Sequence, residues 1–152
     1  MTMPLPTRPG HVHCYLLPDE DGWTLVDTGV GLPDAHERWA TELAGLPGAV
    51  RRIFVTHFHP DHVGAAAIVS ELTGAEVLQG RLDLAQCRLV WGNDAWSDVL
   101  VAWFHRHGAP PEVTHELVEQ GSFWRPVIRV ADALSPVEQR HSVDGWTLVA
   151  AP

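Results

Sequence analysis

The segment Thr56-His57-Phe58-His59-Pro60-Asp61-His62-Val63-Gly64 constrains this chain more than any other. Three histidines and one aspartate fall within six residues, directly after the apolar run at residues 52–55 and directly before a helical pattern. In an extended loop side chains alternate, so His57 and His59 project to the same side and can reach one metal ion. Asp61 and His62 lie where the loop turns into the helix, project in a different direction and can serve a second ion close by. Neutral imidazole and carboxylate are donors that Zn²⁺, Fe and Mn²⁺ accept. Pro60 fixes its own φ and restricts His59 to extended geometry, which suits a ligand held ready. The competing reading is a histidine-rich surface loop, since pairs two apart also occur at His11/His13 and His105/His107. Asp61, His62 and Gly64, in that order after a strand, weigh against it.

Around this loop the chain alternates strand and helix. Residues 11–17 and 23–26 read as a β-hairpin across the turn segment Pro18-Asp19-Glu20-Asp21-Gly22, and Asp27-Thr28-Gly29 breaks the second strand. Pro33 and Asp34 open a helix with Ala35, Trp39 and Leu43 on one face, ended by Gly45, Pro47 and Gly48. Residues 52–55 form a buried strand. Ala65, Ile68, Val69 and Leu72 mark a second helical face closed by Gly74, and residues 75–78 form another strand. Strand, helix, strand, helix, strand implies an α/β layered architecture.

The middle of the chain changes character. Trp96, Val99, Leu100, Trp103, Phe104 and His107 recur at helical spacing, with Asn93 or Asp94 as cap and Gly108 as stop. A shorter helix follows, from Pro110-Pro111 to Gly121, with Val113 and Leu117 on one face. This insertion, near residues 94–120, reads as a core-facing stripe or as an apolar wall over a substrate site. Residues 127–130 and 146–150 read as strands, the second entered through Val143-Asp144-Gly145.

Composition narrows the function classes. A length of 152 residues, 45% hydrophobic and 19% charged, describes one globular domain and not a disordered chain. No apolar run approaches the roughly 18 residues of a membrane span, and residues 1–10 lack the apolar stretch of a secretory leader, so the expected location is cytoplasmic. All ten basic residues are Arg, against 19 acidic ones, and the net charge of −9 with no basic stripe argues against nucleic acid as partner. Cys14 and Cys87 lie far apart and read as free thiols.

The metal loop resembles the H-x-H-x-D-H signature of the metallo-β-lactamase superfamily, and Leu25-Val26-Asp27-Thr28-Gly29 resembles that superfamily's first motif. The resemblance extends from about His11 to the last strand, with Ala65 standing where many members have a second glycine. It implies an αββα sandwich with metals in a cleft at one edge of the sheets. It makes His57 and His59 ligands of a first metal and Asp61 and His62 ligands of a second, Zn²⁺ in the first instance, with Fe or Mn²⁺ as alternatives. Asp61 is also the catalytic candidate, as a carboxylate that orients the nucleophile or shuttles its proton. Asp27, with Thr56 and Gly64, takes a structural role beneath the loop, and Asp27 reads equally as a turn aspartate binding nearby backbone N–H groups.

In this superfamily further ligands follow a strand like residues 146–150, and here the sequence stops at Pro152. His141 lies at the wrong end of its hairpin to replace them. His11 and His13 read as strand residues near the site, and His36, His105, His107 and His115 as surface or boundary residues. The expectation is therefore an N-terminal portion, with the C-terminal half of the sandwich absent. Such a chain should bind metal weakly, expose apolar surface, and dimerise or depend on further sequence. The resemblance implies a hydrolase of small molecules, acting on a thioester, ester or lactone carbonyl in the manner of hydroxyacylglutathione hydrolases, with no membrane partner. The alternatives are a catalytically incomplete fragment or regulatory module, a nuclease-type member, and an iron redox member.

Overall fold

The structure, a computed structural model, describes residues 1–131, 134–138, 142–143, 146–147 and 149. In chain order the elements are β1 (Thr2–Pro4), β2 (His11–His13), β3 (Tyr15–Asp19), β4 (Gly22–Val26), α1 (Ala35–Ala44), β5 (Val50–Val55), α2 (Pro60–Val63), α3 (Ala66–Thr73) and β6 (Glu76–Gly80). They continue with α4 (Arg81–Val90), α5 (Trp96–Arg106), α6 (Pro111–Trp124), a 3₁₀ turn (Arg125–Val127), β7 (Leu134–Val137), β8 (Ser142–Val143) and β9 (Trp146–Thr147).

The central sheet has the order β3-β4-β5-β6-β7, antiparallel at the β3–β4 hairpin and parallel from β4 onward. Register pairs Leu25 with Ile53 and Ile53 with Val77, so these side chains share one face. With Val55 they are buried against Ala35 and Trp39 of α1 and Ile68 and Val69 of α3, in one hydrophobic core. The parallel strands all end at the same edge, and the loops that leave β4 and β5 there carry Asp27 and the three clustered histidines. Carboxyl ends of parallel strands are where open α/β sheets bind ligands. The α/β class and layered arrangement expected from the sequence are those observed.

Several elements differ in detail. Residues 11–17 are not one strand: the chain breaks at Cys14, and His11–His13 pairs with Thr2–Pro4, bringing Met3 opposite Val12. The prolines and glycine of residues 1–10 concealed that three-residue partner. Helix α4 carries no clear stripe, because Leu84 and Cys87 face the core while Leu82 and Leu89 are exposed, and sequence periodicity gave no sign of it. Gly121 does not end a helix. It lies inside α6 because the Trp96 ring packs there, and a Cβ at this position would lie 2.1 Å from the ring. Asn93 serves the turn before α5, its Oδ1 accepting the Ala95 N–H at 3.0 Å.

Residues 127–130 are not a strand either. Their backbone groups are taken by two loops and the first turn of α3: Gly31 N–H donates to the Val127 carbonyl at 2.8 Å, Arg129 N–H donates to the Gly64 carbonyl at 2.8 Å, and Ala67 N–H donates to the Arg129 carbonyl at 3.0 Å. The fifth strand of the sheet is instead β7, parallel to β6. Of residues 146–150, Trp146–Thr147 pairs with Ser142–Val143. His141, Asp144, Gly145, Leu148 and Ala150 lie outside the described residues, and Val149 is exposed and in no strand. Cys14 and Cys87 are free and buried, and burial pushes their thiols up to about 12 and about 11 respectively.

Candidate metal centre

The site starts where β4 stops. Asp27 adopts φ 62°, a left-handed conformation that aspartate tolerates better than most residues. This turns its buried carboxylate toward the end of β5. Oδ1 accepts the Thr56 backbone N–H at 2.8 Å, and both oxygens lie 2.9 Å from the Thr56 hydroxyl. Oδ2 accepts from His62 Nδ1 at 2.7 Å. The next residue grips the same loop by its backbone, since Thr28 N–H and Oγ1 both donate to the His62 carbonyl, at 2.9 and 2.8 Å. Trp39 Nε1 in turn donates to the Thr28 carbonyl at 3.0 Å. One turn thus holds the Thr56–Gly64 loop at its start, at His62 and, through the Gly29 carbonyl accepting Ala65 N–H at 3.0 Å, at its exit.

The histidines gather above this anchor. Ring centroids of His57 and His59 are 4.6 Å apart, and those of His57 and His62 are 4.0 Å apart. His62 Nε2 lies 3.4 Å from Asp61 Oδ2. The structure therefore brings together the two donor pairs that the sequence separates, His57 with His59 and Asp61 with His62.

Proton accounting assigns the tautomers. An ionised carboxylate only accepts, so His62 carries its proton on Nδ1 and the Thr56 hydroxyl donates to Asp27. The His57 Nδ1, 3.0 Å from Thr56 Oγ1, then donates to that oxygen. Both rings are left with an Nε2 lone pair, the arrangement that orients histidine toward a metal. These donors fit a borderline metal ion. Among the described residues, however, no three His, Cys, Asp or Glu side chains converge on one point.

Electrostatics separates two of the imidazoles. Burial lowers the pKa of His57, and the neighbouring His62 and His59 lower it further. Burial also works against protonation of His62, but the hydrogen bond and charge of Asp27, with the charge of Asp61, outweigh it and raise the pKa. The His62–Asp27 pair thus contributes stability that is full below the ordinary value of 6.5 and is lost as pH rises through the raised one. His57 acts in the opposite sense, since its protonation below 6.5 opposes folding. In metal-free protein, imidazole NMR titration is expected to find His62 protonating at higher pH than His57, with Asp27→Asn narrowing the gap. The reverse order would contradict the hydrogen-bond network.

Among the described residues, no other histidine makes a ring contact with this cluster. His11 and His13 are exposed on β2 with ring centroids 5.0 Å apart. His105 Nε2 meets Thr114 Oγ1 at 3.2 Å between α5 and α6, and His107 Nδ1 donates to the Trp103 carbonyl at 2.7 Å. Sequence reasoning missed Thr28 as a clamp, although it sits in the quoted first motif. It also gave no task to Trp91, whose Nε1 donates to the Phe58 carbonyl at 2.7 Å.

Comparison with known proteins bears on the fold and the family. No curated protein sequence matches the chain. Among solved structures, the metallo-beta-lactamase family protein TTHA1429 from Thermus thermophilus aligns at 27% identity with a TM-score of 0.71, over 95% of this chain and 47% of its own. A beta-lactamase domain protein from Burkholderia ambifaria aligns at 26% identity with a TM-score of 0.69, over 94% of this chain and 42% of its own. TTHA1623, solved in a di-iron-bound form, shares the fold at 23% identity with a TM-score of 0.55, over 97% of this chain and 59% of its own. The chain spans about half the length of the first two. A sequence model of the metallo-beta-lactamase superfamily matches residues 7–137, and with the fold this places the chain in that superfamily.

Proposed function

We propose that this chain carries the metal-binding loop of a hydrolase, with His57 and His59 holding one metal ion and Asp61 and His62 a second. The observation that carries the reading is the network in which Asp27 and Thr56 occupy the Nδ1 atoms of His62 and His57 and leave both Nε2 lone pairs for ligation. When bound, Zn²⁺ polarises a substrate carbonyl and lowers the pKa of its water from ~15.7 to ~7. Asp61 is half-buried beside His62, and its carboxylate has lone pairs to spare for orienting that water and taking its proton. The substrate class proposed is a small thioester, ester or lactone. Fe is the alternative metal, in keeping with the di-iron-bound form of TTHA1623.

Two donors per ion, as proposed, leave each ion short of the four-coordinate shell that zinc takes. The remaining donors, in this proposal, come from further sequence or from a second copy of the chain, and the isolated 152 residues bind metal weakly. The test combines metal analysis with a panel of thioester, lactone, β-lactam and phosphodiester substrates under added Zn²⁺, Mn²⁺ or Fe²⁺. His59→Ala and Asp61→Ala are each expected to lower the responding activity by about 10²-fold or more. Activity that survives both substitutions would sink the metal mechanism. Two tightly bound ions per isolated chain would sink the incomplete shell.

A further inference from the structure

His57 and His59 flank one residue, Phe58, so the peptide plane between them decides how the two rings stand relative to each other. That plane is held from outside the loop. Trp91 Nε1 donates to the Phe58 carbonyl at 2.7 Å, across 33 positions of sequence. Phe58 and Trp91 are both half-buried and both pack against the hydrophobic core, which fixes the donor and the acceptor. Trp91 is itself secured at the end of α4: its N–H donates to the carbonyl of buried Cys87 at 2.8 Å, and Arg125 Nη1 donates to the carbonyl of the preceding Val90 at 2.7 Å. His59, next along, is extended at φ −64° and ψ 150°, and its carbonyl takes the His62 and Val63 N–H groups, each at 3.0 Å. Rotation of the Phe58–His59 peptide would therefore disturb His59 directly and His62 through α2.

We infer that Trp91 is a positioning residue for the candidate metal centre, its indole N–H locking the Phe58 carbonyl so that His57 and His59 stand ready as ligands. This rests on the metal-binding reading of the loop. It also gives the helical insertion a task other than covering substrate: Arg125, at the far end of α6, braces the helix end that carries the lock. Orienting contacts behind metal ligands change affinity by one to two orders of magnitude when removed.

The experiment compares Trp91→Phe, which keeps a ring and removes the donor, with Trp96→Phe. Trp96 is buried in the same insertion but packs on Gly121 and beneath Arg125. Zn²⁺ affinity is read by chelator competition, and amide exchange at His62 and Val63 is read in metal-free protein. Trp91→Phe is expected to weaken Zn²⁺ binding by about tenfold and to speed exchange at both amides. Trp96→Phe is expected to lower the melting temperature and leave both readings in place. Zn²⁺ affinity within twofold of wild type, or equal effects from the two variants, would overturn the inference. If wild type binds no Zn²⁺, the metal-binding reading fails, and the exchange comparison alone decides whether Trp91 holds the loop. Should Trp91→Phe not fold, 3-benzothienylalanine at position 91 keeps the bicyclic shape without the N–H.

Discussion

Asp27→Ala is expected to destabilise the protein by about 2–4 kcal/mol, from two separable causes. The first is polar: the Thr56 backbone N–H, the Thr56 hydroxyl and His62 Nδ1 all lose their acceptor in a site where Asp27 is 5% exposed. A fully buried donor without a partner costs about 1–3 kcal/mol. Because Thr56 is exposed and His62 half-buried, water replaces part of the loss, and the cost here falls at about 1–2 kcal/mol. The second is conformational, because alanine at φ 62° carries a left-handed penalty of roughly 1–2 kcal/mol. Asp27→Gly removes the second cost and keeps the first, so it should fall between wild type and Asp27→Ala. Asp27→Asn keeps the Oδ1 acceptor and should be the mildest of the three. Urea unfolding of the metal-free protein reads all of them. A loss below about 1 kcal/mol for Asp27→Ala would mean that the carboxylate does not hold the loop.

Gly64→Val should be comparably damaging for a purely steric reason. A Cβ at Gly64 would lie 2.4 Å from the Pro60 carbonyl oxygen, 3.0 Å from that of Gly29 and 3.0 Å from the Val30 Cα. All three are backbone atoms, with no flexible side chain to swing aside. Three segments meet here: the exit of the metal loop, the turn after β4 and, through its hydrogen bond to the Gly64 carbonyl, Arg129. Overpacking against well-packed atoms costs about 1–3 kcal/mol and more where backbone must move, so about 3 kcal/mol or more is expected. At roughly 2–4 °C per kcal/mol for a chain of this size, the melting temperature should fall by roughly 10 °C. Gly74→Ala is the control, since Gly74 closes α3 at φ 71° with nothing within 4 Å of its Cβ position. It should cost only about 1 kcal/mol. Equal losses at the two positions would remove the crowding argument.

The loop from Thr56 to Gly64 was legible because its information is local: the residue types, their spacing of two, and a strand before and a helix after all lie in one stretch. The same holds for α1, ended at Gly45, and α3, closed by Gly74, where a stop residue coincides with the end of a periodic face. Reading failed where a residue's partner is distant. Gly121 looks like a stop until the Trp96 ring is placed against it. Residues 127–130 have the composition of a strand, and only the positions of Gly31, Gly64 and Ala67 show that two loops and the start of α3 take their hydrogen bonds. Trp91 is one tryptophan among seven in the sequence, and nothing near it marks the Phe58 carbonyl as its target. Of the candidate site, Asp27 and Thr56 beneath the loop were readable, and the clamps from Thr28 and Trp91 were not.

The crossing of residues 127–129 over the loops at Gly31 and Gly64 bears on the order in which the molecule is made. As the chain emerges during synthesis, β4, β5 and the histidine loop appear early, but the backbone partners that hold Gly31, Gly64 and Ala67 arrive only after both helices of the insertion. Closing contacts of such high sequence separation is slow. Until then the loop rests on the contacts of Asp27, Thr28, Gly29 and Trp91, and a growing chain gathers its histidines before the strap that fastens their loop exists.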